Sequence, residues 1–206
     1  MFAAKFSSFQ MVTQAFARLP GAAKRARREI GPGRYFPNFQ FERVSGLTNF
    51  WDWAEGSWVS VACLPDSLVS SADQLLSYAL AADGLHDARI KTLFMCPNDQ
   101  QQLDQLAEDV SALAGKELNA VLVADPYWRK SDRLGLRVQK SSARSPLFKS
   151  VVIAPNLFID HVGLADVPCA RTAYQMLAIV KTLQQRSFTA QSDPVELGHR
   201  NLPFAM

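Results

Sequence analysis

The sequence predicts a small, three-layer-like α/β body. Its expected parts are a βαβαβ core with a partly parallel sheet, further antiparallel strands, an N-terminal helical arm and an extended C-terminal tail. Three observations carry this reading. From residue 58 onward short apolar runs alternate with segments of helical periodicity, and Pro, Gly and Asp punctuate the joins. The joins are also short enough for right-handed crossovers, which lay successive strands parallel. The divisions fall at residues 1–34 (arm), 35–57 (aromatic strap), 58–186 (body) and 187–206 (tail).

In the arm, Phe2, Phe6, Phe9, Val12, Phe16 and Leu19 recur at three- and four-residue steps, which sets them on one stripe of a helix that Pro20 and Gly21 end. A compact basic cluster follows: Lys24, Arg25, Arg27 and Arg28. Three readings of the arm stand side by side. The stripe docks on its own chain or a neighbouring subunit; or the arginine-rich, acid-poor helix is a mitochondrial-type targeting peptide; or it binds anionic material, nucleic-acid phosphate or a lipid surface.

The strap holds Tyr35, Phe36, Phe39, Phe41, Phe50, Trp51, Trp53 and Trp58. The alternation at Phe39 and Phe41 predicts an extended segment, and Asn49 a cap for a short helix through Trp51 and Trp53. Such aromatics plug one end of a core, or form a stacking platform or partner hot spot. In the body, Val59 to Leu64 is a buried strand and Asp66 to Ala82 a helix closed by Asp83 and Gly84. Arg89 to Cys96 is a second strand, and Asn98 caps a helix carrying Leu103, Leu106, Val110 and Leu113 as far as Gly115. Leu118 to Ala124 is a third strand. Strands at Leu134 to Gln139 and Ser150 to Ala154, an edge piece at Asn156 to Val162 and a helix from Pro168 to Arg186 complete the body.

Charge is unevenly placed. The net charge is +3, yet residues 1–34 hold seven bases against Glu29 alone. A second basic stretch, Trp128 to Lys149, holds Arg129, Lys130, Arg133, Arg137, Lys140, Arg144 and Lys149 against Asp132, and is expected as a positive hairpin ribbon. Such a ribbon contacts phosphates or an acidic surface, or protects a sheet edge.

The chemistry is marked by missing templates. Pro65-Asp66-Ser67 follows the first strand in place of a glycine-rich phosphate loop, and there is no paired-cysteine zinc motif, no His-Glu-x-x-His and no Gly-x-Ser-x-Gly. No cofactor or metal is called for, and no apolar run reaches the roughly 18 residues a membrane span needs. Cys63, Cys96 and Cys169 are far apart and odd in number, which points to a reducing intracellular compartment, the cytoplasm first and mitochondria second. Cys63 and Cys96 lie in apolar runs as small hydrophobes. Cys169, at an expected helix start, is the most reactive candidate.

The functional expectation is a non-enzymatic structural or interaction subunit, a homo-oligomer or part of a larger complex. It would bind neighbouring chains through Phe2, Phe6, Phe9, Phe16, Trp51 and Trp53. An acidic partner or nucleic acid would meet Lys24, Arg25, Arg27, Arg28, Arg129, Lys130, Arg133 and Arg137. The alternative is an α/β hydrolase-type or nucleic-acid-processing enzyme with Asp125, Asp160 and His161 gathered at strand ends.

Overall fold

The structure is a computed structural model and describes residues 30–43, 46–138, 146–168 and 170–192. Its centre is β3 (Trp58–Cys63), six residues all out of water. Parallel to it runs β4 (Ile90–Cys96), in which only Lys91 is incompletely buried, and parallel to that β5 (Val121–Ala124). Apolar strands of this kind are expected where both faces of a sheet are covered. On the other side of β3 lies β7 (Leu147–Ile153), antiparallel. One edge of β7 is shared between β3 and the short β6 (Arg137–Val138); the other carries β8 (Ile159–Ala165). The expected mixed α/β architecture with a parallel core is present.

One face of the sheet is covered by helices. α2 (Leu68–Leu80) starts at Ser67, whose hydroxyl accepts from the Ser70 N–H, and buries Leu75, Tyr78 and Ala79. α3 (Ala82–Asp87) follows almost at once, with Leu85 fully buried. The turn expected at Asp83-Gly84 is therefore helical, because packing of Leu85 outweighs the local preference of that dipeptide. α4 (Gln100–Ala114) is capped by Asp99 rather than Asn98: its carboxylate accepts from the Gln102 N–H at 2.9 Å and the Gln102 side chain answers in a capping box. Asn98 instead donates to the Asp66 carbonyl, joining the two loops at the strand ends. The helix ends at Gly115, in the left-handed conformation that glycine adopts without strain (φ 62°). α6 (Ala173–Ser192) contributes Met176 and Val180 to this core and runs past Arg186.

The opposite face is covered by the strap. The hairpin β1 (Gln40–Arg43) and β2 (Gly46–Asn49) leads into α1 (Phe50–Ala54), with Asn49 accepting from the Trp51 N–H as its cap. Phe36, Phe41 and Phe50 are fully buried beneath it. Two lysines of the sheet tie the strap down: the Lys91 ammonium donates to the Trp53 carbonyl, and the buried Lys149 ammonium donates to the Ile30 carbonyl at 3.0 Å.

After β5 the chain makes a 3₁₀ turn (Pro126–Trp128) and enters α5 (Arg129–Leu134), where a strand was expected from Leu134. The reason is Asp125. Its buried carboxylate accepts from the backbone N–H groups of Lys130 and Ser131 at 2.7 and 2.8 Å, which starts a helix that periodicity does not announce. Replacing Asp125 with Ala leaves both donors unmet, and urea denaturation should show a loss of about 3 kcal/mol. A loss within error would mean the carboxylate does not hold this turn.

Candidate functional site

The strands β3, β4 and β5 end at one edge of the sheet, the place where open α/β sheets bind ligands. There Asp66, Asn98, Asp99 and Tyr127 line a shallow cleft of about 520 Å³. Tyr127 and Trp128 are both non-glycine residues with positive φ, 62° and 61°. Holding each there costs about 1–2 kcal/mol, offset by the Asp125 bonds on one side and the Trp128–Phe148 ring contact on the other. The outcome is that the Tyr127 ring stands in solvent, with the Arg129 guanidinium 5.5 Å from its centre. A second, open groove of about 1360 Å³ flanks the first half of β4. Bases and acids both line it, Lys91, His86 and Lys116 among Asp83, Asp104 and Glu117, and Lys116 pairs with Asp83 at 2.6 Å.

The thiols of β3 and β4 are close in sequence register but turned to opposite faces. Cys63 lies under the strap, its sulfur 3.6 Å from the Ser131 hydroxyl, and Cys96 lies under the helices. Burial pushes the Cys63 thiol up to about 12, with the Ser131 hydrogen bond pulling weakly the other way. Burial also raises Cys96, with Cys63 and Asp125 adding to it. Neither supplies a thiolate near neutral pH. Both behave as the small hydrophobes expected from their runs. Cys169 lies outside the described residues.

At the far edge of the sheet, pairing between β7 and β8 slips by one residue. Ile153 faces Ile159, while Val152 faces His161, so Asp160 is the extra residue of a β-bulge. The bulge moves His161 to the helix-covered face. Its Nε2 is out of water and has no hydrogen-bond partner. Burial, then the nearby Arg171 guanidinium, hold the imidazole below its ordinary pKa, against a smaller upward pull from Asp160.

No protein-family model matches this sequence, and no curated protein does. Solved structures do match. A yeast mitochondrial 1-Cys peroxiredoxin shares 15% identity at a TM-score of 0.66, over 81% of this chain and 82% of that one. A cysteine-to-serine mutant of peroxiredoxin 6 from Arenicola marina shares 22% at 0.65, over 81% and 79%. The reduced 2-Cys peroxiredoxin of Plasmodium vivax shares 18% at 0.58, over 76% and 98%. This chain has a thioredoxin-like peroxiredoxin fold.

The peroxiredoxin likeness overturns both functional expectations drawn from the sequence. The matching structures are of peroxiredoxins, not of non-enzymatic structural subunits, hydrolases or nucleic-acid-processing enzymes, and nucleic acid is not supported as a partner. Geometry agrees on the hydrolase. Asp125 at the end of β5 lies four strand spacings from β8, roughly 19 Å, and is spent on capping. Asp160 and His161 are both on β8, and Asp160 is exposed and unpaired in the ladder.

The basic ribbon is likewise not one surface. Arg129 and Arg133 are exposed on α5, whereas Lys130 donates to the Ala124 carbonyl and Arg137 sits 3.4 Å from Asp132. Lys149 is inside, and Lys140 and Arg144 lie outside the described residues. Of the expected partner contacts, Trp51 is 39% exposed and donates to the Phe36 carbonyl, while Trp53 packs on Phe41 and Phe50. Phe2, Phe6, Phe9, Phe16, Lys24, Arg25, Arg27 and Arg28 lie outside the described residues. Among the described residues no helix is long and apolar enough to cross a membrane, and no cluster of three or more His, Cys, Asp or Glu could hold a metal ion.

Arg171 was missed by sequence reasoning. Nothing in its surroundings in the chain marks it; only the tertiary fold brings it to His161.

The buried thiols give a pH signature. Cys63 keeps its proton in the fold well past the point where the unfolded chain, near 9.0, gives it up. Its contribution to stability is therefore complete below pH 9 and lost as pH rises towards 12. Denaturation midpoints across that range should fall, and a Cys63→Ala variant should fall less steeply; equal slopes would contradict the burial.

Proposed function

We propose that this chain is a thiol peroxidase whose reacting sulfur is that of Cys169. The supporting observation is the fold it shares with peroxiredoxins over about four-fifths of its length. Elimination leaves Cys169, since burial keeps Cys63 and Cys96 protonated and closed to solvent. Its neighbours in the chain are well held: Ala170 is buried, and its N–H donates to the Gln74 side-chain oxygen at 2.7 Å.

The reaction follows from thiol chemistry. The Cys169 thiolate attacks the terminal peroxide oxygen, the O–O bond breaks, and the departing alkoxide takes a proton and leaves as an alcohol or as water. The sulfur is oxidised to a sulfenic acid. One external thiol condenses with it, releasing water and forming a mixed disulfide; a second thiol displaces Cys169 and carries away the disulfide.

Hydrogen peroxide added to the full chain, followed by a sulfenic-acid trap and mass spectrometry, should label Cys169 and spare Cys63 and Cys96. A Cys169→Ser variant should lose peroxide consumption at least a hundredfold, with Cys63→Ser and Cys96→Ser keeping it. Unlabelled Cys169, or a Cys169→Ser variant as active as the parent, would overturn the assignment.

The address of the protein belongs to the same proposal. Residues 1–28 hold six bases and no acid, with the aromatic stripe already described, and one structural neighbour is named as mitochondrial. The arm is then a targeting peptide, preceding a folded body described from Ile30. Residues 1–29 fused to a fluorescent protein should carry it into isolated mitochondria, protected from added protease. A fusion left outside would remove this part of the reading.

A further inference from the structure

We propose that Arg171, Ser150 and His161 form a binding site for a small carboxylate, the carboxylate of a co-substrate that reaches Cys169. The site stands on its own geometry; only the naming of its ligand as a co-substrate rests on the thiol reading above.

The site is built from two strands and a loop. Ser150 on β7 pairs with Gly163 on β8, and the bulge at Asp160 sets His161 on the same face, beside Val152. The Arg171 guanidinium lies close over Gly163: a Cβ there would stand 2.6 Å from its Nη2 and 2.7 Å from the Ser150 hydroxyl. Only glycine leaves that room. The backbone around Arg171 is held by α2, where the Tyr78 hydroxyl donates to the Arg171 carbonyl at 2.6 Å and the side-chain oxygens of Gln74 and Ser77 accept from the N–H groups of Ala170 and Ala173.

Three hydrogen-bonding groups thus converge without partners. Among the described residues Arg171 has no ion pair, Ser150 has no side-chain hydrogen bond, and His161 Nε2 is a buried atom with nothing to bond. A half-buried guanidinium without a carboxylate is a cost the fold carries. A ligand carboxylate removes it, taking two parallel bonds from the guanidinium fork and one each from the hydroxyl and the imidazole N–H. One cation with two neutral groups balances one negative charge. A phosphate dianion would leave an excess beside Asp160, whose field already reaches His161. The carboxylate has two sources, the reducing thiol or the hydroperoxide, and both present the same group to Arg171.

NMR of histidine-labelled full chain tests this by following the His161 ring. S-methylglutathione stands for a carboxylate thiol, 5-hydroxyhexanoate for the product of a carboxylate hydroperoxide, and the dimethyl ester of S-methylglutathione is the neutral control. Saturable shifts are expected with at least one acid and none with the ester; which acid binds more tightly identifies the source. Arg171→Gln should weaken binding about ten- to hundredfold.

Gly163→Ala is the second variant. The atoms its methyl meets are the ends of movable side chains, so the sheet survives while the guanidinium is displaced, and binding should fall at least tenfold with the melting profile retained. Cys169→Ser should bind as the parent does, so an inert Cys169 would sink the peroxidase reading and leave this site standing. No saturable shift, equal shifts with the ester, or unchanged affinity in both variants would overturn the site.

Discussion

Because all six residues of β3 lie out of water, each face of the sheet must be covered across its width, and the two coverings are made from different kinds of chain. Helices α2, α3, α4 and α6 supply one with regular apolar stripes. The strap supplies the other with aromatic bulk, and short irregular segments bury enough area only by using rings. Lys91 and Lys149 show how that second layer is fixed: each passes its ammonium to a strap carbonyl, satisfying at one stroke a backbone acceptor and a cation that the sheet could not otherwise carry.

This division explains what was legible in the amino-acid order. Apolar runs with Pro at their ends locate β3 and β4 within a residue or two, because a strand buried on both faces has little freedom of composition. α4 was legible from its leucine spacing and Gly115, with only the cap displaced by one residue. Features set by contacts distant in the chain were not. The start of α5 depends on the Asp125 carboxylate reaching five and six residues ahead. The Asp160 bulge depends on how β8 meets β7. Arg171 depends on α2, some ninety residues earlier, for its place.

The misjudged function has a physical origin as well. Basic residues between Trp128 and Lys149 look like one surface when counted along the chain, and the fold distributes them between solvent, backbone carbonyls, an ion pair and the interior. A count of charges carries no information about direction. The cysteines, by contrast, were legible: an apolar run predicts that Cys63 and Cys96 are inert, and both are buried with raised thiol pKa.

The one-residue slip at Asp160 has an evolutionary consequence. Side chains of a strand alternate in direction, yet Ile159 and His161 stand two positions apart on opposite faces, and the extra residue between them makes that possible. Loss of its codon would restore regular pairing with Ile159 still opposite Ile153 and His161 still opposite Val152, so the imidazole would keep its place beneath the helices. The polar pocket could thus outlast a change in strand length in descendants of this chain, an event that comparisons of substitutions alone would never register.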